Sequence, residues 1–131
     1  METSGQQGNG TWVAVDTKNL KVEGENKGTI LVAKTSGRVD GSNAKEFQDA
    51  LESILGNNAT ALLLDMEDLS YISSAGLRVI LLIARQLQGK SGKFGVCSLS
   101  PSISEVFQIS GFDKIIPVHP AQADALASLG S

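Results

Sequence analysis

Two adjacent serines, Ser73 and Ser74, stand where the polar run Asp68-Leu69-Ser70-Tyr71 gives way to the apolar run Leu77-Arg78-Val79-Ile80-Leu81-Leu82-Ile83-Ala84. A serine hydroxyl can cap a helix, attack a carbonyl or accept a phosphoryl group, and its surroundings decide which. Attack requires a base and an oxyanion hole held beside the nucleophile. The sole histidine, His119, is flanked by Val118 and Pro120 near the end of the chain and reads as a surface loop residue; sequence distance alone leaves its position relative to Ser74 open. The surrounding Ile72-Ser73-Ser74-Ala75-Gly76 is not the Gly-x-Ser-x-Gly elbow of a hydrolase. There is no Walker A pattern, no Gly-x-Gly-x-x-Gly and no His/Cys cluster spaced to hold zinc. The chain therefore reads as one that is acted upon rather than an enzyme, with no metal and no cofactor expected. A small hydrolase built on Ser74 is disfavoured for want of a base.

The elements around the serines sharpen this. Ala61-Leu62-Leu63-Leu64 is a short continuous apolar run, suited to a buried strand. The run from Leu77 predicts a helix of about three turns, closed by Gly89. The serines thus lie at a helix N-terminus, where free backbone N–H groups and the positive end of the helix dipole meet and can hold a phosphate. Serine is also among the best N-caps, so capping and phosphate acceptance both stand open from position alone. The helix is more apolar than one exposed face requires. Burial accounts for most of that stripe, and any exposed remainder beside the serines would be a partner surface.

The rest of the chain alternates. Trp12-Val13-Ala14-Val15 is an apolar island, read as an edge strand or a loose arm, with Trp12 a packing plug. Leu20-Lys21-Val22-Glu23 is a strand, Gly24 to Gly28 a hairpin turn, and Thr29 to Thr35 the returning strand, broken by residues 36–41. Ala44, Phe47, Ala50-Leu51 and Ile54-Leu55 follow the helical period as far as Gly56, with Asn43-x-x-Glu46 a capping box. A further strand ends near Cys97, and Ser100-Pro101 opens a helix with Ser102-x-x-Glu105 as a second capping box. Ile115 to Val118 reads as a terminal edge strand and Ala121 to Leu129 as a last helix. This order predicts an α/β fold: a mixed β-sheet with an N-terminal hairpin, then alternating strands and helices, about four helices in all. Residues 1–10 carry no apolar periodicity and should be a disordered tail, leaving 11–131 as a single domain.

Taken together, Asp68 to Leu77 resembles the phosphorylation motif of the STAS domain family, which includes the bacterial anti-sigma factor antagonists. Those commonly read Asp-Leu-Ser-(aromatic)-(apolar)-Asp-Ser-Ser/Thr-Gly-Leu-Gly in this place. The resemblance puts the family phosphoacceptor on Ser74, with Ser73 where an acid is frequent and Ala75 where a Ser or Thr is usual. Because Ala75 has no hydroxyl, Ser73 is the rival acceptor in the turn. Asp40, in Gly37-Arg38-Val39-Asp40, resembles the end of the family strand beside the acceptor; it would orient Ser74 or meet the kinase, or else simply close an Asx-type turn. Ser73, Ala75, Gly76 and Leu77 complete the expected partner-binding turn. The resemblance covers about residues 18–129.

It implies a phosphorylation-controlled antagonist. The unphosphorylated form would bind an anti-sigma factor that is also a serine kinase using ATP and magnesium. Phosphorylation would release it, and a PP2C-type phosphatase would reset it. The alternative is a regulatory or scaffolding STAS module on a non-sigma target, without phosphotransfer. Composition fits a cytoplasmic protein: of the 131 residues 41% are hydrophobic, no apolar run is near the ~20 residues of a membrane span, and the single Cys97 has no intrachain partner. Cys97 reads as a small buried hydrophobe. Nucleic acid is an unexpected partner, since the net charge is −3 and the Lys and Arg residues are scattered.

Overall fold

In a computed structural model that describes residues 10–56 and 59–130, the chain forms a six-stranded sheet in the order β1-β2-β3-β4-β5-β6. The strands are β1 (Thr11–Asp16), β2 (Leu20–Lys27), β3 (Ile30–Val39), β4 (Ala61–Ile72), β5 (Lys93–Cys97) and β6 (Val118–His119), and the helices α1 (Ala44–Leu55), α2 (Ser74–Gly89), α3 (Pro101–Ser110) and α4 (Gln122–Leu129). The first three strands pair antiparallel and the rest parallel, so the hairpin half and the crossover half meet between β3 and β4. All but residue 10 of the N-terminal tail lies outside the described residues.

Alternation along β4 explains the layering. Leu62, Leu64 and Met66 point into a core filled by Phe47, Leu51 and Ile54 of α1, Ile80, Ile83 and Leu87 of α2, and Ile103 and Phe107 of α3. Ala61 and Leu63 point the other way, against Ile30, Val32 and Cys97 and under Ala125 and Leu129 of α4. A strand covered on both faces must be apolar at every position, which is why residues 61–64 carry no polar alternation.

Several boundaries differ from the sequence expectation, each for a visible reason. β3 and β4 run on to Val39 and Ile72, where turns were expected, because their pairing slips between Lys34 and Ser36 and again between Gly37 and Arg38. The slips break the two-residue period while Leu69, Ile72 and Val39 stay buried. Gly37 takes φ +98°, and any side chain there would run into the Asn19 carbonyl. Gly24 lies inside β2 rather than in a turn: a Cβ there would stand 2.5 Å from the Trp12 ring, so the glycine makes room for the indole of an edge strand. The hairpin turn is Gly28-Thr29.

Neither capping box forms. Asn43 precedes α1 but spends its side chain elsewhere, its Oδ1 accepting the Asp40 N–H at 2.9 Å and its Nδ2 donating to the Arg38 carbonyl at 3.0 Å. The cap of α3 is Ser100, whose Oγ accepts the Ile103 N–H at 3.3 Å with Pro101 beginning the helix. The last strand is Val118–His119, displaced from Ile115–Val118 by a 3-10 turn at Phe112–Lys114 that buries Ile116; it does occupy a sheet edge.

Candidate functional site

At the β4–α2 junction the expected polar turn shrinks to one residue, Ser73. Its backbone is extended (φ −89°, ψ 175°), and its Oγ accepts the Gly76 N–H at 3.4 Å, making Ser73 the N-cap of α2. The Ser73 N–H donates to the Val39 carbonyl at 2.9 Å, which pins the helix start to the end of β3. Gly76 is buried directly beneath: a Cβ there would lie 2.6 Å from Ile72 Cγ1 and 2.8 Å from Val39 Cγ1. Leu77 is buried beside it. Gly76 and Leu77 therefore seat the turn, while Ser74 and Ala75 face outward.

Ser74 is the first residue of α2, exposed, and its hydroxyl has no partner among the described residues. The other serines are engaged, Ser73 as the cap and Ser70 through its Oγ, which donates to the Gly37 carbonyl at 2.9 Å. Capping and presentation, two roles open for either serine in the sequence, are thus divided between neighbours.

Asp40 follows Val39 and so leaves β3 where Ser73 enters α2. Its Oδ1 accepts the Ser42 N–H at 2.9 Å and the Ser42 hydroxyl at 2.6 Å, an Asx-type turn, and its Oδ2 stands 3.9 Å from Arg38 Nε. The Ser42 hydroxyl above all, then the Ser42 amide and the Arg38 charge, hold the Asp40 carboxyl below its ordinary pKa. Arg38 also stacks over Tyr71, its guanidinium carbon 4.6 Å from the ring centroid. Sequence reasoning missed this stack, because it follows from the slipped β3–β4 register that sets Arg38 opposite Tyr71.

On the other side of Ser74 a groove of about 310 Å³ runs between α1 and α2, lined by Ala44, Lys45, Gln48, Ala75, Arg78 and Leu82. Leu82 is 39% exposed there; Leu77, Val79, Ile80, Ile83 and Leu87 of the α2 stripe are buried, and Leu81 and Ala84 are half-buried. The groove is apolar at its floor and carries two cations and no acid among those side chains.

Among the described residues no histidine stands beside Ser74. His119 belongs to β6 rather than a surface loop, is half-buried and lies 3.6 Å from the Cβ position of Gly95, on the sheet face that α4 covers; α2 covers the opposite face. Cys97, opposite His119 in the sheet, is buried, and burial raises its pKa to about 11. Among the described residues no group of three or more His, Cys, Asp or Glu side chains could hold a metal ion, and no helix is long and apolar enough to cross a membrane.

Residues 21–125 match the STAS domain family model. The chain belongs to the STAS domain family. It is 40% identical over 99 residues to BtrV of Bordetella bronchiseptica, provisionally named an anti-sigma factor antagonist, covering 76% of this chain and 85% of that one. It is 28% identical over 112 residues to the anti-sigma F factor antagonist of Paenibacillus polymyxa, covering 85% and 96%. The crystal structure of an anti-sigma factor antagonist from Mycobacterium paratuberculosis superposes with a TM-score of 0.80 at 25% identity, over 86% of this chain and 95% of that one. The order of strands and helices is that of the STAS fold, as the sequence motif implied.

Proposed function

We propose that this STAS protein is a phosphorylation-controlled anti-sigma factor antagonist. Its unphosphorylated form binds an anti-sigma factor that is also a serine kinase, and phosphorylation of Ser74 releases it. The observation that carries this reading is the division of labour at the turn: Ser73 caps, Ser70 is bonded to β3, and Ser74 alone offers a free hydroxyl at the head of α2.

The chemistry suits a switch. A phosphoserine carries about −1.5 to −2 charges with three strong acceptor oxygens. At the first residue of a helix that charge meets the positive end of the dipole, so the fold tolerates it. A close interface over the same spot does not, because the dianion must be desolvated without a matched partner. Asp40, joined to the turn through the Val39–Ser73 bond, serves kinase recognition or phosphotransfer, and a PP2C-type phosphatase reverses the modification. The protein is a substrate rather than a catalyst, and it acts in the cytoplasm.

Incubation with the cognate anti-sigma factor kinase, ATP and magnesium, followed by peptide mapping, tests the assignment. Phosphate is expected on Ser74; phosphate on Ser73 or Ser70 instead would refute it.

A further inference from the structure

We infer that Arg78 is an intramolecular receptor for the phosphate on Ser74, and that phosphorylation draws this cation away from the α1–α2 groove. The inference rests on Ser74 being the phosphoacceptor and adds what the phosphate does once it is there.

Ser74 and Arg78 are one helical turn apart on α2, at i and i+4, where side chains lie on one face with Cβ atoms about 5–6 Å apart. Both are exposed. An anion placed N-terminal to a cation at this spacing is the favourable order, and at the first residue of α2 the phosphate also meets the positive end of the helix dipole. Among the described residues Arg78 has no ion pair or hydrogen bond, in contrast to Lys45 across the groove, whose Nζ is 2.7 Å from Asp49. The first turn of α2 holds no acidic residue to compete. A planar guanidinium with five donors matches phosphate oxygens two at a time, which a lysine cannot do.

The consequence is a second effect of one modification. Unphosphorylated, Arg78 edges an apolar groove beside Ala75 and is free to meet a carboxylate of a bound protein. Phosphorylated, the same guanidinium turns back along its own helix to the phosphate. The partner then faces both a new dianion and the loss of a cation.

Phosphoserine installed at position 74 of the full chain during translation, observed by 31P NMR through a pH titration, reads the pair directly. The second phosphate pKa, about 6 when unpaired, should be lower by roughly 0.3–1 pH unit in the parent than in Arg78→Ala. Arg78→Lys should fall between them. Arg85→Ala removes the same charge at a point about 16 Å along the α2 axis from Ser74 and should titrate like the parent. Equal pKa values in parent and Arg78→Ala, or an equal shift in Arg85→Ala, would overturn the inference. Because the phosphate is installed without a kinase, the result is independent of partner switching. An Arg78-dependent pKa in a protein whose partner affinity ignores phosphate would sink the switch and leave the receptor standing.

Discussion

The Ser73 N–H bonds to the Val39 carbonyl at 2.9 Å, and this contact fixes the geometry of the whole site. Through it the last residue of β3 and the cap of α2 become neighbours, so Asp40 and Ser74, 34 residues apart in sequence, emerge from adjoining ends of two elements. Beneath the bond, Gly76 lets α2 settle onto Val39 and Ile72.

That packing gives the first expectation. Helix propensity alone makes Gly→Ala favourable by about 1 kcal/mol. At position 76 the added methyl meets Ile72 and Val39 at 2.6 and 2.8 Å, and overpacking of this kind costs about 1–3 kcal/mol. Gly76→Ala should therefore be destabilised on balance in urea denaturation, by up to about 2 kcal/mol. A stabilised variant would show that the helix start is looser than the packing implies.

The two serines of the turn should separate cleanly. Ser73→Ala removes the cap of α2 and should cost about 1 kcal/mol. Ser74→Ala, at an exposed first-turn position, should change stability by only a few tenths of that figure and remain able to bind while escaping the switch. Ser74→Glu puts an anion at the positive helix end and should be neutral or stabilising by about 0.3–1 kcal/mol. Circular dichroism melts of the three variants check the order; a Ser74→Glu that melts well below the parent would mean that phosphate acts by unfolding α2.

Much of this was legible in the sequence and some was not. The alternation of strands and helices, the amphipathic stripe of α1 and the position of Ser74 at a helix start follow from local periodicity and turn chemistry. The long reach of β3 and β4 does not, because slips at Lys34/Ser36 and Gly37/Arg38 scramble the strand period, and polar Asp68 and Ser70 then look like a turn. The caps were misplaced by two residues at Ser100 and misassigned at Asn43, since a Ser or Asn two places away is chemically equivalent until the backbone is fixed. The Arg38–Tyr71 stack depends on strand register, a long-range property that no window of sequence carries.

Asp40 carries a pH signature. Its folded pKa lies below the ordinary 3.8 because Ser42 and Arg38 stabilise the ionised form. A depressed folded pKa contributes stability above the unfolded pKa, and that contribution disappears as pH falls through the folded value. The stability difference between parent and Asp40→Asn should be constant above about pH 5 and shrink progressively below 3.8. At neutral pH the variant should fold normally but be phosphorylated more slowly. Paired melts from pH 7 to 2.5 and a kinase time course test both halves; a large stability loss with normal phosphorylation would reduce Asp40 to its turn.

Cys97 should be inert in the folded protein. With its pKa near 11, only about a thousandth of the thiol is ionised at pH 8, against about a quarter for an ordinary cysteine. Labelling with a thiol-disulfide reagent at that pH should be at least about a hundredfold slower in the native protein than in urea. Comparable rates would show that α4 opens readily over the strand it covers.

The measurement that bears most directly on the switch is calorimetric titration of the partner kinase with unphosphorylated protein and with protein phosphorylated at Ser74. The account predicts unchanged circular dichroism melts and a Kd raised at least about a hundredfold by the phosphate, equivalent to roughly 3 kcal/mol. Equal affinities for the two forms, with mass spectrometry placing the phosphate on Ser74, would contradict it.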